Sequence, residues 1–156
     1  MDADLDEIDR EILRLLQENA RTPFSEIART IEMSSATVHD RVSRLEATGV
    51  IEGYHARVNP KALGWGISAI VGMRVDQGQE TETLKQLQEL DNVREIHLTT
   101  GQWDVILRVY ATDADALRKL MFTDIAEIDG FDRTQTMVIL GTEYENEQLP
   151  VPDADA

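Results

Sequence analysis

The stretch that decides the fold is SSATVHDRVSRLE, residues 34–46. Its apolar residues Val38, Val42 and Leu45 recur at helical spacing, and a serine at its start supplies an N-cap. With that apolar stripe turned inward, the opposite face carries small or polar side chains, which a helix needs in order to enter the major groove of DNA. The stretch therefore predicts a recognition helix.

Two shorter amphipathic segments precede this helix. From Leu5 to Leu16, apolar residues recur at helical spacing with charges on the other face, which predicts a first helix. Thr22 and Pro23 form a helix start, an N-cap followed by proline at the first helical position. They predict a second helix of about ten residues, separated from the third by a short break at residues 32–34.

The segment after the recognition helix predicts a wing. Gly49 ends the helix, and two short extended runs flank Gly53 before Pro60. Three short helices followed by a hairpin are typical of a winged helix-turn-helix. We expect this domain to span residues 1–60, followed by a linker at residues 61–66.

Beyond the linker the apolar pattern changes from helical spacing to alternation. Four segments are predicted to be strands: residues 67–75, 93–99, 105–111 and 134–140. Two amphipathic segments between them are predicted to be helices, the second capped by Asp113. The order β-α-β-β-α-β predicts a ferredoxin-like domain over residues 67–145, and an α+β fold class for the chain. Helices would cover one sheet face, and the open face favours an oligomer that buries it.

The charge balance conflicts with a DNA partner at first sight. The formal net charge is −15, from 30 acidic and 15 basic residues, of which 12 are Arg. Such a surface suits concentrated salt, and a halophilic source is our hypothesis; the alternative is an acidic protein with no nucleic-acid partner. Residues 34–57 hold three arginines against three acidic residues, so the acidic excess lies elsewhere. We therefore expect weak DNA binding by a lone domain, made adequate by several copies.

Composition also excludes several classes of site. The chain has no cysteine, which excludes disulfides, thiolate nucleophiles and cysteine metal ligands. It lacks a run of about 18 apolar residues, and its N-terminus is acidic, so we expect a cytoplasmic protein without a membrane partner. No cofactor, metal or catalytic constellation is predicted. The acidic, proline-containing tail at residues 146–156 is expected to be a frayed end.

Over nearly its whole length the chain resembles the Lrp/AsnC family of transcription regulators, also named feast/famine regulators. The matching stretches are LDEIDREILRLLQENARTPFSEIA, SSATVHDRVSRLEATGVIEGYHARVNPKALG and TGQWDVILRV. The resemblance implies an N-terminal DNA-binding domain, a C-terminal effector-binding and oligomerising (RAM) domain, and dimers that often associate to octamers. It also implies that an amino acid or related metabolite binds between subunits and shifts DNA binding or assembly.

The helical wheel gives candidate DNA-binding residues in and after the recognition helix. They are Ser34, Ser35, Thr37, His39, Asp40, Arg41, Arg44 and Arg57. We expect the arginines to contact phosphates, the serine, threonine and histidine side chains to reach the groove, and the aspartate to accept from cytosine amino groups. The alternative is a solvated helix face in which Arg41 and Arg44 pair with Asp40 and Glu46 or with neighbouring helices.

The candidate effector site centres on the loop TTGQWDV. Trp103 offers a flat apolar wall, and the N–H groups of the turn at Gly101, with the Asp104 carboxylate, could bind an α-amino acid. By resemblance, this loop and part of the last strand line the effector pocket, with candidate residues Thr99, Thr100, Gly101, Gln102, Trp103, Asp104, Thr134 and Thr136. The alternative is a hairpin in which Asp104 caps its own turn and Trp103 packs at a dimer interface.

Two other functions stay open. The same fold is shared by siroheme decarboxylases, which need basic and histidine residues gathered around a macrocycle, and only His39, His55 and His97 are available. The second is a metabolite-sensing module without DNA binding. Arg41→Ala with Arg44→Ala would separate that module from a DNA-binding regulator, in which we expect it to abolish promoter binding without unfolding.

Overall fold

The computed structural model describes residues 5–76 and 78–152, which form two compact units. The first unit comprises residues 5–56 and 144–152, and the second comprises the described residues between 57 and 143. Neither described part of the chain contains a helix long and apolar enough to cross a membrane.

The first unit contains three helices: α1 (Glu7–Glu18), α2 (Phe24–Thr30) and α3 (Ser35–Ala47). Their inward residues form one apolar core of Ile12, Leu16, Ile27, Ala28, Val38, Val42 and Leu45. Asp6 caps α1 in a capping box with Asp9, and Gly49 ends α3 with a φ of +73°. The predicted helix-turn-helix is therefore confirmed.

Two local predictions in the first unit are wrong. Helix α2 has seven residues and its N-cap is Pro23, because the Thr22 hydroxyl donates to the Asn19 carbonyl at 2.8 Å and is not used as a cap. The hairpin predicted around Gly53 does not form, since no strand is assigned in residues 48–59. The amides of Val50 and Ile51 instead donate to the Leu45 carbonyl at 2.9 and 3.1 Å, which holds this backbone against α3.

The second unit is a four-stranded antiparallel sheet with helices on one face. Its elements are β1 (Ile67–Val75), α4 (Glu80–Gln88), β2 (Val93–Leu98), β3 (Val105–Ala111), α5 (Ala114–Lys119) and β4 (Phe131–Val138). The strand order is β2-β3-β1-β4, as the ferredoxin-like prediction requires. A 3₁₀ helix (Pro60–Leu63) precedes β1, and a π-helical turn (Leu120–Asp124) continues α5.

Alternation along the strands decides which residues form the core of the second unit. Every second residue of β1 and β3 is buried against the helices: Ala69, Val71, Met73, Val105, Leu107 and Val109. The opposite sheet face stays open, and it carries Ile70, Ile106 and Met137. Strand β4 begins three residues earlier than predicted because a bulge at Arg74/Val75 extends its pairing with β1 to Phe131.

The C-terminal tail also differs from the prediction of a frayed end. Residues 148–152 lie along α1, where Leu149 exchanges two hydrogen bonds with the side chain of Gln17. These bonds satisfy backbone groups that a free tail would leave to water. The described tail therefore belongs to the helical unit.

Candidate DNA-binding and ligand-binding sites

The outward face of α3 has the polar character that the sequence predicted. Val38, Val42 and Leu45 are buried in the core of the helical unit. The exposed residues of the helix and its cap are Ser34, Ser35, Ala36, His39, Asp40, Ser43, Arg44, Glu46 and Ala47. Since none of these is a large apolar residue, the face suits a groove about 12 Å wide that presents donors and acceptors.

The start of α3 is organised by Ser34. Its hydroxyl oxygen accepts from the Thr37 backbone N–H at 3.0 Å and shares a hydrogen bond with the Thr37 hydroxyl at 2.8 Å. The two hydroxyls therefore form the cap, and Ser35 and His39 present the exposed polar groups beside it. The His39 ring lies edge-on to Phe24 of α2, with centroids 6.0 Å apart.

Arg41 and Arg44 bind carboxylates of α1. Arg41 Nη1 donates to Asp6 Oδ2 at 2.6 Å and to Asp9 Oδ1 at 2.8 Å, and Arg44 Nη2 donates to Asp9 Oδ2 at 2.5 Å. The Asp9 side chain is 1% exposed, whereas Arg41 and Arg44 are 21% and 52% exposed. These four residues are named the arginine clamp below.

The charges of the clamp are stabilised by one another. Hydrogen bonds from Arg41 to Asp6 and Asp9 raise the pKa of Arg41. Burial acts to raise the pKa of Asp6, but the Asp9 N–H and the Arg41 guanidinium outweigh it, so the pKa of Asp6 is lowered. The two acidic and two basic residues cancel in formal charge, so the clamp adds no net positive charge to the DNA-facing side.

The clamp changes the expected role of the two arginines. They pair with a neighbouring helix, one of the alternatives, and not with Asp40 or Glu46. Arg41→Ala with Arg44→Ala would leave a buried carboxylate without a cation, so the expectation that this double substitution spares folding is wrong. Only the exposed part of Arg44 is available to a phosphate.

Sequence reasoning missed Asp6 and Asp9 as part of this surface. Their i, i+3 spacing ahead of an apolar helix is a capping-box signal, and the sequence analysis did not use it. It also missed Arg21 and Arg29, which are exposed and whose side chains make no ion pair with the described residues. These two arginines are cations of the helical unit that can meet phosphates without first breaking a contact.

The segment after α3 is fixed by Tyr54, whose hydroxyl donates to Glu46 Oε1 at 2.9 Å. Burial, and then the Glu46 carboxylate, raise the pKa of Tyr54 to about 12. Arg57, expected on a wing, is exposed and belongs to the second unit. The structure therefore does not join Arg57 to the outward face of α3.

The Thr99–Asp104 loop of the second unit is a compact turn. Thr99 donates from its N–H to the Asp104 carbonyl at 2.9 Å and from its hydroxyl to the Trp103 carbonyl at 2.6 Å, and Gly101 has a φ of +119°. Thr100, Gly101 and Gln102 are exposed at the tip. The loop is thus rigid at its base and open at its tip.

Trp103 lies flat over β1. A methyl group added at Gly72 would lie 2.6 Å from Trp103 Cδ2, so the ring fits only because Gly72 has no side chain. The guanidinium of Arg133 stands 5.5 Å from the ring centroid, within cation–π range. Trp103 is therefore buried in this chain alone, between the sheet and an arginine of β4.

Asp104 serves as a cap for β1 and not for its own turn. Its Oδ2 accepts from the Val75 N–H at 3.0 Å and its Oδ1 from Arg74 Nη1 at 3.3 Å. Its own N–H donates to the Met73 carbonyl at 3.0 Å. Since both carboxylate oxygens already accept a hydrogen bond, a ligand ammonium would have to share Asp104 with these donors.

Thr134 and Thr136 do not join this loop within one chain. They pair with Met73 and Val71, whose side chains face the helices, and they line an open groove of about 620 Å³ beside α5. Trp103 covers Gly72, which faces the opposite side of the sheet. The expectation that these threonines and the loop line one pocket is not met by a single chain.

A second groove joins both signs of charge near Trp103. It has a volume of about 510 Å³ and is lined by Arg74, Val75, Asp76, Asp104, Asp132 and Arg133. Arginine side chains suit a carboxylate and aspartates suit an ammonium group, so the groove matches the two charges of a free amino acid. Nowhere in residues 5–76 and 78–152 do three metal-ligating side chains cluster.

Comparison with known protein families divides the chain in the same way. Residues 5–46 match the AsnC-type helix-turn-helix domain, and residues 68–149 match the Lrp/AsnC ligand binding domain. The second match runs into the tail that the structure places with the helical unit.

Individual relatives extend this similarity over nearly the whole chain. The HTH-type transcriptional regulator Ptr1 of Methanocaldococcus jannaschii is 37% identical, over 94% of this chain and 99% of its own. The solved structure of Escherichia coli AsnC superposes with a TM-score of 0.89 at 31% identity, covering 95% and 100% of the two chains. The leucine response regulatory protein of Mycobacterium tuberculosis superposes with a TM-score of 0.80 at 32% identity, covering 95% and 100%.

Proposed function

We propose a function on the premise that the chain belongs to the Lrp/AsnC family of transcription regulators. As a member it is a DNA-binding transcription regulator with a ligand-binding domain. The observation that carries our proposal for DNA recognition is the polar outward face of α3 above a closed apolar core. We propose that Ser35, His39 and Asp40 reach base edges in the major groove.

The remaining candidate residues have supporting roles. Ser34 and Thr37 fix the start of the helix, and Arg41 orients α3 against α1. Arg44, through its exposed part, contacts phosphates, as do Arg21 and Arg29. Arg57 stays a candidate phosphate contact from the connection between the units.

Genome-wide DNA occupancy at the native salt concentration, with and without amino-acid starvation, tests the regulatory function. We expect discrete peaks at promoters whose height changes with starvation. Coverage no different from input DNA under both conditions would contradict it and would favour a sensing module that has lost DNA binding.

We propose that copies of the chain associate through the open sheet face. Ile70, Ile106 and Met137 form its apolar part, and the Arg108–Glu95 ion pair at 3.1 Å lies beside them. Ile106→Asp should give monomers in sedimentation experiments and weaken promoter binding, because two helix-turn-helix domains would no longer bind one DNA together. A monomeric variant that binds as tightly as the native chain would oppose this.

We propose that the ligand is an amino acid and that it binds in the polar groove beside Trp103. The two arginines and the exposed aspartates of that groove provide complementary charges, and the Mycobacterium tuberculosis relative is named for its response to leucine. Titration with each proteinogenic L-amino acid in turn should change Trp103 fluorescence for at least one of them. Asp132→Asn should weaken that response, whereas Asp91→Asn, an exposed aspartate outside the groove, should leave it unchanged.

We also propose that the chain works in the cytoplasm, in concentrated salt, as a regulator and not as an enzyme. The net charge of −15 and the use of 12 Arg against 3 Lys support the salt proposal. A melting temperature that falls when KCl is raised to molar concentration would contradict it. A siroheme decarboxylase is not proposed, since His39 contacts Phe24 and His97 contacts Glu95 at 3.2 Å.

A further inference from the structure

The C-terminal segment binds one face of α1 through its backbone. Arg10, Arg14 and Gln17 follow one another at i, i+4 and i+7, so they line a single stripe of the helix. Gln17 donates from Nε2 to the Leu149 carbonyl at 3.1 Å and accepts from the Leu149 N–H at 2.7 Å. This reciprocal pair is the contact that a neighbouring strand makes, formed here by one glutamine side chain.

Two arginines continue the contact toward the end of the chain. Arg14 Nη2 donates to the Val151 carbonyl at 3.3 Å, and Arg10 Nη1 donates to the Pro152 carbonyl at 2.6 Å. The Leu149 side chain is 76% exposed, so the segment is held by its carbonyls and one N–H and not by buried side chains. The stripe on α1 therefore fits an extended peptide with prolines at alternate positions.

The contact gives the two units a second chain connection. Residues 57–66 lead from the helical unit into β1, and residues 139–147 lead from β4 back to α1. With the tail docked, the helical unit is tied at both ends. A tethered segment binds at a high effective concentration, so a few hydrogen bonds are enough to keep it docked.

The helix that receives the tail also holds the recognition helix. Asp9, one residue before Arg10, binds Arg41 and Arg44 of α3 from the buried side of α1. A continuous path of contacts thus runs from the tail through α1 to the two arginines of α3.

We propose that residues 148–152 form a strap on α1 that ties the DNA-binding unit to the ligand-binding domain and carries the effect of the ligand to α3. The last step rests on the proposed function, whereas the docking of the strap does not.

Two substitutions at one position isolate the backbone contact. Leu149→Pro removes the N–H that donates to Gln17, and Leu149→Ala keeps it while shortening an exposed side chain. Gln17→Ala breaks the same pair from the other side, and Glu18→Ala is its exposed neighbour and control. All four variants are made in the full chain.

The first readout is independent of any ligand. Leu149→Pro and Gln17→Ala should speed amide hydrogen exchange in α1 about fivefold, the factor expected from one lost hydrogen bond. Trypsin should cut faster after Arg57 and Lys61, in the connection between the units. If Leu149→Pro behaves like Leu149→Ala in both measurements, the strap is overturned.

The second readout is the ratio of promoter affinities with and without each proteinogenic L-amino acid. For an amino acid that shifts the native ratio, the two strap-breaking variants should bring the ratio close to one, and the two controls should not. A native-sized shift in Leu149→Pro overturns the transmission role while the ligand-binding function stands. If no amino acid shifts the native ratio, the amino-acid proposal and the transmission role fail together, and exchange and proteolysis alone judge the docking.

Discussion

The arginine clamp of the helical unit and the Asp104 cap of the sheet unit are the same chemistry at different depths. In both, an aspartate that accepts a backbone N–H in one turn also binds arginine. Asp9 is 1% exposed and Asp104 is 42% exposed. The buried aspartate fixes its arginines as structure, whereas the accessible one leaves Arg74 and the groove around it open to a ligand.

The largest difference should appear when the arginines are removed. Arg41→Ala with Arg44→Ala leaves Asp9 buried and unpaired, so we expect a loss of about 3–5 kcal/mol in the unfolding free energy of the helical unit. Arg74→Ala leaves Asp104 with water and the Val75 N–H, and should cost less than about 1 kcal/mol. Urea denaturation followed by circular dichroism measures both.

Adding Asp9→Asn to the double variant provides the control. Removing the orphaned charge should recover part of the lost stability, because the penalty comes from the unpaired carboxylate. A double variant as stable as the native chain would contradict the clamp.

The sheet unit should respond most to a change at Gly72. Gly72→Ala places a methyl group against the Trp103 ring, and we expect a loss of about 1–3 kcal/mol together with a shift of tryptophan emission. Gly141→Ala is the matched control, since the nearest atom to its added carbon lies 3.9 Å away. Equal stability of the two variants would show that Trp103 does not lie over Gly72.

The smallest effect concerns Asp6, the exposed acid of the clamp. Asp6→Asn keeps an N-cap side chain but removes a negative charge from the DNA-facing side, so promoter affinity should rise modestly in salt titrations. A fall in affinity would mean that Asp6 is needed to orient Arg41.

The same variant should change the acid response. Because the pKa of Asp6 lies below its ordinary value of 3.8, its stabilisation is complete above about pH 4 and is lost as the pH falls through the lowered pKa. Asp6→Asn should lack this part of the acid-induced loss, which denaturation at several pH values measures. An unchanged acid profile would rule out this contribution of Asp6.

Apolar periodicity was sufficient to predict the helices, the strands and the inward face of α3. Val38, Val42 and Leu45 lie where the wheel put them because burial is a local consequence of spacing. The partner of Arg41 lies 32 residues away, and no periodicity reports which of many acids a long side chain will reach. The hairpin around Gly53 failed for a related reason, since the Val50 and Ile51 amides found the Leu45 carbonyl instead of each other.

The candidate sites divide along the same line. Ser35 and His39 are exposed as predicted, because the helix itself sets their direction. Thr134 and Thr136 were placed with Trp103 by resemblance, but strand alternation puts them on the opposite face of the sheet. A pocket that combines them therefore requires more than one chain.

The most direct test of DNA recognition by the outward face of α3 is promoter affinity after Ser35→Ala with His39→Ala. Both side chains are exposed and neither belongs to the clamp, so the melting temperature should match that of the native chain. We expect a loss of roughly tenfold or more in affinity, with Thr81→Ala, an exposed substitution on α4, unchanged. Native affinity in the double variant would contradict the account.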